Sequence, residues 1–161
     1  MVLNIYTDGS CRRNGTQDAP GAWGYVVLDV EEKDIVCEDY QAVKGTTNQR
    51  MELEAVIQAC EKVRDAVKYP FDEAYIHTDS AYIHNCLTQK WYVKWLENGW
   101  ITSSKKPVSN QDLWKRLIPF FEDSHYSFFK VGGHRGIRWN EYVDKKVQML
   151  SGEMLINGSS N

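Results

Sequence analysis

The chain has 161 residues, 42% hydrophobic and 25% charged, which is the composition of an ordinary globular protein of one domain. No apolar run approaches the roughly 20 residues that span a bilayer, and strand-like residues begin at Val2, so we expect neither membrane insertion nor a signal peptide. The four cysteines are widely spread without a C-x-x-C pair, which disfavours zinc and disulfide frameworks and favours a cytoplasmic location.

The net charge of −3 argues mildly against non-specific nucleic-acid binding, but the charge is unevenly distributed. Between Thr88 and Arg116 six basic residues stand against two acidic ones, a local charge of +4 that leaves −7 for the rest of the chain. A basic patch on an acidic body is typical of a polyanion-binding surface, and it is equally typical of solvated lysines on an exposed face.

Hydrophobic periodicity predicts a mixed α/β sheet covered by helices. Alternating, β-branched-rich runs predict strands over Val2–Thr7, Ala22–Val30, Ile35–Lys44, Glu73–Thr78 and Tyr126–Val131. Apolar residues at helical spacing predict a helix from Leu53 to Val67, with Thr46, Thr47 or Asn48 as its N-cap. Further helical segments are predicted over 80–96, 110–122 and 140–150. We expect one domain over 1–151 and a disordered tail over 152–161.

Two of the predicted strands end alike, in Thr7-Asp8-Gly9-Ser10 and in Thr78-Asp79-Ser80. A single Asp before Gly or Ser is usually turn chemistry. If the first and fourth strands are parallel neighbours, however, their carboxyl ends meet at one edge of the sheet and bring Asp8 and Asp79 together. Two carboxylates at one point need a counter-charge, and hard divalent cations with oxygen ligands commonly supply it.

Two more carboxylates are candidates for the same site. Glu52 lies at the start of the long helix, at the edge of its apolar stripe, where the helix dipole also favours an acidic residue. Asp144 lies one turn into the last helix, where a solvated Asp facing Lys145 and Lys146 is the simpler interpretation. Neither residue is compelling alone.

The residues around these carboxylates resemble the ribonuclease H family of the bacterial type 1 class. The resemblance runs in collinear order from about Leu3 to Leu150. Its motifs are Thr7-Asp8-Gly9-Ser10, Thr46-Thr47-Asn48-Gln49-Arg50-Met51-Glu52-Leu53, Thr78-Asp79-Ser80, Lys105-Lys106-Pro107-Val108, Asp112-Leu113-Trp114 and Gly133-His134 with Asp144. The ordered set is far more specific than any one motif.

The resemblance implies a ribonuclease H-like fold, a five-stranded mixed sheet flanked by helices, and endonucleolytic cleavage of the RNA strand of RNA–DNA hybrids. Asp8, Glu52, Asp79 and Asp144 would be catalytic and would hold two Mg²⁺ ions, with Mn²⁺ as a substitute. Such a pair of ions supports in-line attack by water, leaving 5′-phosphate and 3′-hydroxyl ends. His134, in a glycine-rich loop, would be an accessory catalytic residue that handles protons or assists product release.

The resemblance also implies a substrate-binding surface. Asn48 and Gln49 would contact the minor groove, where the 2′-hydroxyl distinguishes RNA from DNA. Thr47 and Asn14 would support phosphate contacts, and Trp114 with its basic neighbours would face the hybrid. Each of these residues also has a plain structural interpretation, as a loop, cap or core residue.

The sequence departs from the family pattern in its basic protrusion and its first loop. The segment Trp95-Leu96-Glu97-Asn98-Gly99 is poor in charge where relatives usually carry several basic residues, which predicts weaker or more metal-dependent hybrid binding. The first loop is longer than usual, and Arg12 and Arg13 within it are expected to offset part of that loss.

Three alternatives stand beside the main hypothesis. Integrases, transposases and Holliday-junction resolvases share the fold and an acidic cluster, but the 48–53 and 105–108 segments favour a hybrid nuclease. A non-catalytic hybrid-binding module would have a broken carboxylate set, whereas all four are present. A domain released from a polyprotein is disfavoured by Met1 and the short tail. We expect a monomer, with the hybrid as substrate and any replication-associated protein partner unspecified.

Overall fold

Five strands form a single mixed sheet in a computed structural model of the protein. The structure describes residues 1–14, 16–29, 31–66, 71–132 and 138–159, with side chains up to Gly152. The strands are β1 (Val2–Cys11), β2 (Pro20–Asp29), β3 (Ile35–Lys44), β4 (Glu73–Thr78) and β5 (Tyr126–Lys130), and their order in the sheet is β3-β2-β1-β4-β5. Strand β2 pairs antiparallel with β1 and with β3, whereas β4 runs parallel to both β1 and β5. The predicted fold class is confirmed, and the first and fourth strands are parallel neighbours, which is the condition under which Asp8 and Asp79 were expected to meet.

Helices cover both faces of this sheet. They are α1 (Asn48–Ala66), α2 (Ala81–Thr88), α3 (Trp91–Asn98), α4 (Gln111–Phe121) and α5 (Arg138–Ser159). The alternation of β1 sends Leu3 and Ile5 into a core shared with α1, α2 and α4, while Tyr6 faces the opposite side, where α5 packs on β1, β2 and β3. In the described parts of the chain, no helix combines the length and apolarity needed to cross a membrane.

Helix α5 is longer than the sequence suggests. The prediction ended this helix near Leu150 and treated 152–161 as a disordered tail, whereas the helical backbone continues to Ser159. A glycine such as Gly152 costs a helix only about 1 kcal/mol relative to alanine, so it does not by itself end one. The domain boundary at residue 151 stays a prediction.

Strand β1 and helix α1 approach each other closely at Gly9. A Cβ built on Gly9 would lie 2.1 Å from the Met51 carbonyl carbon and 2.3 Å from the Glu52 nitrogen. Only a residue without a side chain fits between the strand and the backbone of this helix. The contact fixes the height of the first turns of α1 relative to the end of β1, and so the position of Glu52 relative to Asp8.

Gly9→Ala is therefore expected to destabilise the protein by about 3 kcal/mol, because the added methyl group meets backbone that cannot rotate away. Urea denaturation monitored by circular dichroism measures this change. Gly132→Ala serves as the control, since a Cβ there meets no atom of the described residues within 4 Å. Equal stabilities for the two variants would show that the strand and the helix are not in tight contact.

Candidate active site

Two acidic residues lie just beyond the last paired residues of β1 and β4: Asp8 lies within β1, which continues to Cys11 and not only to the predicted Thr7, and Asp79 directly follows β4. The parallel register pairs Tyr6 with His77, so two residues further along Asp8 and Asp79 reach the same edge of the sheet. Asp8 is buried, with 5% of its surface exposed, and Asp79 is half-buried. The negative charge of Asp79 acts directly on the Asp8 carboxyl. The structure brings together the two residues that the sequence predicted to meet.

Helices on opposite faces of the sheet contribute two further carboxylates. Glu52, in the second turn of α1, accepts a hydrogen bond from the Ser80 hydroxyl and feels the charge of Asp79. Asp144, in the second turn of α5, shares a hydrogen bond with Asp8. The four carboxylates that the sequence singled out are thus linked pairwise at the carboxyl edge of β1 and β4.

Their mutual repulsion is visible in the protonation of Asp8. Burial, then the charge of Asp79, then the hydrogen bond and charge of Asp144, raise the pKa of Asp8 from 3.8 to about 9. Burial and the Asp79 charge also raise the pKa of Glu52, against the stabilising Ser80 hydroxyl. Oδ2 of Asp8 is buried and has no hydrogen-bond partner among the described residues. The site therefore holds unneutralised negative charge.

A divalent cation fits this site by position and charge, although no ready-made coordination cage exists. Across the residues that the structure describes, no three His, Cys, Asp or Glu side chains form a cluster that could already hold a metal ion. Repelling carboxylates without a cation are expected to stay apart. Mg²⁺ in addition keeps several waters and shares substrate oxygens, so it needs few protein ligands at any one time. The strongest evidence that a cation fits here is the buried Oδ2 of Asp8, which has no hydrogen-bond partner among the described residues.

Ser80 is a functional residue whose role the sequence prediction missed. It is buried and caps α2, with Oγ accepting from the Ile83 N–H at 3.1 Å. The same hydroxyl donates to Glu52, so the N-cap of one helix orients a carboxylate carried by another. A Ser directly before an apolar helix is a recognisable cap signal, but its second partner is visible only in three dimensions.

Three of the predicted substrate-binding residues meet at the rim of this edge. The side-chain oxygen of Asn14 accepts from the Asn48 N–H at 2.7 Å, and that of Asn48 accepts from the Cys11 N–H at 2.6 Å. Thr47 caps α1, since its Oγ1 accepts from the Arg50 N–H at 3.2 Å. The first loop and the start of α1 are thereby joined into one surface, on which Gln49 is exposed.

Arg50 ties this rim to the start of α4. Its guanidinium donates to both carboxylate oxygens of Asp112, at 3.0 and 2.8 Å, and to the Asn110 side-chain oxygen at 3.3 Å. Such a two-pronged pair has directional as well as electrostatic character. The first turn of α1, which carries Asn48 and Gln49, is held from both sides.

The prediction that Trp114 contacts substrate is wrong. Its surface is 0% exposed, and its Nε1 donates to the Tyr82 hydroxyl at 3.0 Å inside the core. The neighbouring cations misled the prediction: Lys115 stands over the Trp100 ring, and Arg116 pairs with glutamates of α1. The helical spacing of Leu113, Trp114 and Leu117 would have indicated the buried face.

His134 lies outside the described residues, and its catalytic role stays a prediction. The tryptophans of α3, Trp91 and Trp95, are partly buried and pack against the main core.

Asp8→Asn should stabilise the protein when no metal is present. Between about pH 4 and pH 9 the folded protein holds a proton on Asp8 that the unfolded chain releases, so stability falls as pH rises through this window. Asparagine removes the proton equilibrium and the repulsion while keeping the shape. Urea denaturation in EDTA at pH 5, 7 and 8.5 should show a gain for the variant that grows with pH. If the wild type and Asp8→Asn are equally stable at pH 8.5, the carboxylate of Asp8 is not a buried charge.

Comparison with known proteins agrees with this geometry. The family model for RNase H matches residues 1–151. The curated ribonuclease H of Syntrophomonas wolfei is 43% identical over 141 residues, covering 88% of this chain and 90% of that protein. The crystal structure of LC9-RNase H1, described as a type 1 RNase H with the type 2 active-site motif, superposes with a TM-score of 0.76 at 29% identity, covering 95% of this chain and 73% of that one.

A further structure, that of the foamy viral protease-reverse transcriptase in complex with an RNA/DNA hybrid, superposes with a TM-score of 0.78 over 92% of this chain and 20% of that one. At 22% identity this likeness concerns the fold alone. The family match over 1–151 and the identity to the curated relative are decisive: the chain belongs to the ribonuclease H family.

Proposed function

We propose that this protein is a divalent-metal-dependent endoribonuclease that hydrolyses the RNA strand of RNA–DNA hybrids and leaves 5′-phosphate and 3′-hydroxyl ends. The observation that carries the proposal is the pairwise linkage of four carboxylates around Asp8, whose buried Oδ2 has no hydrogen-bond partner among the described residues. A site of carboxylates that repel one another favours a cation, and the family places that cation in phosphodiester hydrolysis.

Asp8, Glu52, Asp79 and Asp144 would hold two Mg²⁺ ions, or Mn²⁺ in their place. When bound, such ions lower the pKa of an attacking water and stabilise negative charge on the attacking and leaving oxygens. The protein contributes the positions of the ligands: the strand ends fix Asp8 and Asp79, and the Ser80 hydroxyl orients Glu52. Asp8 has to give up its proton for a cation to bind, so metal affinity should increase with pH.

Recognition of the hybrid would take place on the rim next to these carboxylates. The side-chain oxygens of Asn14 and Asn48 already accept backbone hydrogen bonds, so each residue can offer its NH₂ group to a 2′-hydroxyl or a sugar oxygen. Gln49 is exposed beside them on the first turn of α1. A solved protein with this fold binds an RNA/DNA hybrid, which supports the same class of ligand here. A monomeric state and a cytoplasmic location stay predictions from the sequence.

The central experiment incubates the wild-type protein with labelled RNA–DNA hybrid, duplex RNA, duplex DNA and a four-way DNA junction, with Mg²⁺ or with EDTA. We expect cleavage of the hybrid alone, only with Mg²⁺, and a loss of at least about 10³-fold in Asp8→Asn, because several kcal/mol of charge stabilisation disappear with the metal. Hybrid affinity measured with Ca²⁺ should be retained by the variant. Cutting of the junction would favour a resolvase, and binding without cutting would favour a non-catalytic module.

Gln49→Ala tests how the RNA strand is recognised. If Gln49 binds near a 2′-hydroxyl, the variant should lose about five- to tenfold in kcat/KM on the hybrid, the equivalent of one hydrogen bond. A series of hybrids is then prepared, each with a 2′-deoxy substitution at a different RNA position. At one of these positions the substitution should lower kcat/KM for the wild type and leave kcat/KM for the variant unchanged.

Gln58→Ala is the matched control for this substitution, since it changes the same residue type on the same helix about 13 Å away. If every deoxy substitution lowers kcat/KM equally for Gln49→Ala and for the wild type, Gln49 does not take part in recognition of the RNA strand.

A further inference from the structure

We infer that Arg13 binds a backbone phosphate of the hybrid at a distance from the cleavage site, a substrate contact supplied by this chain's first loop. The inference rests on the proposed function, since it assigns a residue to the same substrate. It follows from how the loop is anchored, from the free charge it carries and from its distance to the carboxylates.

The loop that carries Arg13 is exposed but well fixed. Arg13 has a left-handed backbone conformation, with φ of 52°, which a non-glycine residue adopts only when its surroundings hold it there. Its carbonyl accepts from the N–H and the hydroxyl of Thr16, at 3.2 and 2.9 Å. The neighbouring Asn14 is bound to the Asn48 N–H at 2.7 Å. Because the backbone of this loop is already held, little backbone entropy is lost when the Arg13 side chain binds.

The charge of Arg13 is available to a ligand. Arg13 is exposed, and within the described parts of the chain no carboxylate lies within ion-pair distance of it. Arg50 and Arg116, by contrast, are each committed to acidic partners. An unpaired guanidinium beside a predicted minor-groove surface is well suited to bidentate phosphate binding.

Arg12 carries the same charge but has a different environment. A Cβ built on Gly152 would lie 3.4 Å from Nη2 of Arg12, so this guanidinium lies against the backbone of α5. Arg13 instead precedes Asn14, which contacts the start of α1. The structure thus separates two adjacent arginines that the sequence alone presented as equivalent.

The position of Arg13 sets which phosphate it can reach. Arg13 lies five positions after Asp8, so the two Cα atoms are at most about 17 Å apart. Phosphates follow one another every ~3.4 Å along a strand of a B-form duplex and more closely in an A-like hybrid, and the Arg13 side chain adds its own reach, so the contact falls within about one helical turn of the cut. The contact would compensate for the missing basic charge of the protrusion, where the exposed Leu96 and Glu97 lie in a region expected to be basic.

The test compares Arg13→Gln with Arg12→Gln and with Lys33→Gln, an exposed lysine paired with Glu31 on the far end of β2. Steady-state cleavage of a 20-base-pair hybrid is measured from 50 to 200 mM salt. We expect Arg13→Gln to raise KM about three- to tenfold at an unchanged kcat and to reduce the salt slope of binding by about one, as for one lost phosphate contact. Arg12→Gln should have a smaller effect, and Lys33→Gln none.

Substrate length provides the second readout. On hybrids cut back to two base pairs beyond the cleavage site on one side, the KM of the wild type should rise to that of Arg13→Gln, and the KM of the variant should not change further. Restoring only the RNA strand or only the DNA strand as an overhang identifies which strand supplies the phosphate.

The outcomes separate the two proposals. A wild-type protein that does not cut hybrids would overturn the proposed function. If the wild type cuts and Arg13→Gln behaves like it, or Arg12→Gln shows the same loss, the Arg13 contact alone is overturned. The thermal unfolding midpoints of the variants should match the wild type, since neither arginine side chain is buried.

Discussion

Parallel pairing of β1 with β4 is the constraint on which the rest of this structure depends. Parallel neighbours run toward the same edge of a sheet, and here each carries a carboxylate two residues after the last pair of the ladder. The pairing buries Asp8 next to Asp79, and burial without a counter-charge is costly enough to keep a proton on Asp8 at neutral pH. Fold and chemistry are therefore coupled: the arrangement that forms the site also destabilises the metal-free protein.

The elements around that edge hold the remaining groups at defined positions. Gly9 lets α1 approach β1 closely enough for Glu52 to join the cluster, and the Ser80 hydroxyl links Glu52 to the start of α2. The bidentate pair between Arg50 and Asp112 holds the same end of α1 against α4. Each contact is ordinary alone, and together they fix the substrate rim relative to the carboxylates.

Much of this arrangement follows from local sequence signals, and the rest depends on contacts between distant residues. Strand alternation and the repeated Thr-Asp ending indicated that Asp8 and Asp79 would meet if their strands were parallel neighbours, whereas the pairing itself joins distant segments and is seen in the structure. The second partner of Ser80 and the pairing of Arg50 join residues far apart in the chain, and no periodicity encodes them. Trp114 was misjudged because its charged neighbours suggested a surface, although its helical position made it core. The length of α5 was underestimated because Gly152 is tolerated inside a helix.

The proposed function depends on these four carboxylates forming a divalent-cation site. Anomalous diffraction from crystals grown with Mn²⁺ is the sharpest test of such a site, because it locates the ion without reference to activity. We expect an anomalous peak within bonding distance of the Asp8 carboxylate and beside Asp79, and no such peak in crystals of Asp8→Asn. A map with no peak at this edge, or with manganese bound elsewhere on the surface, would contradict it.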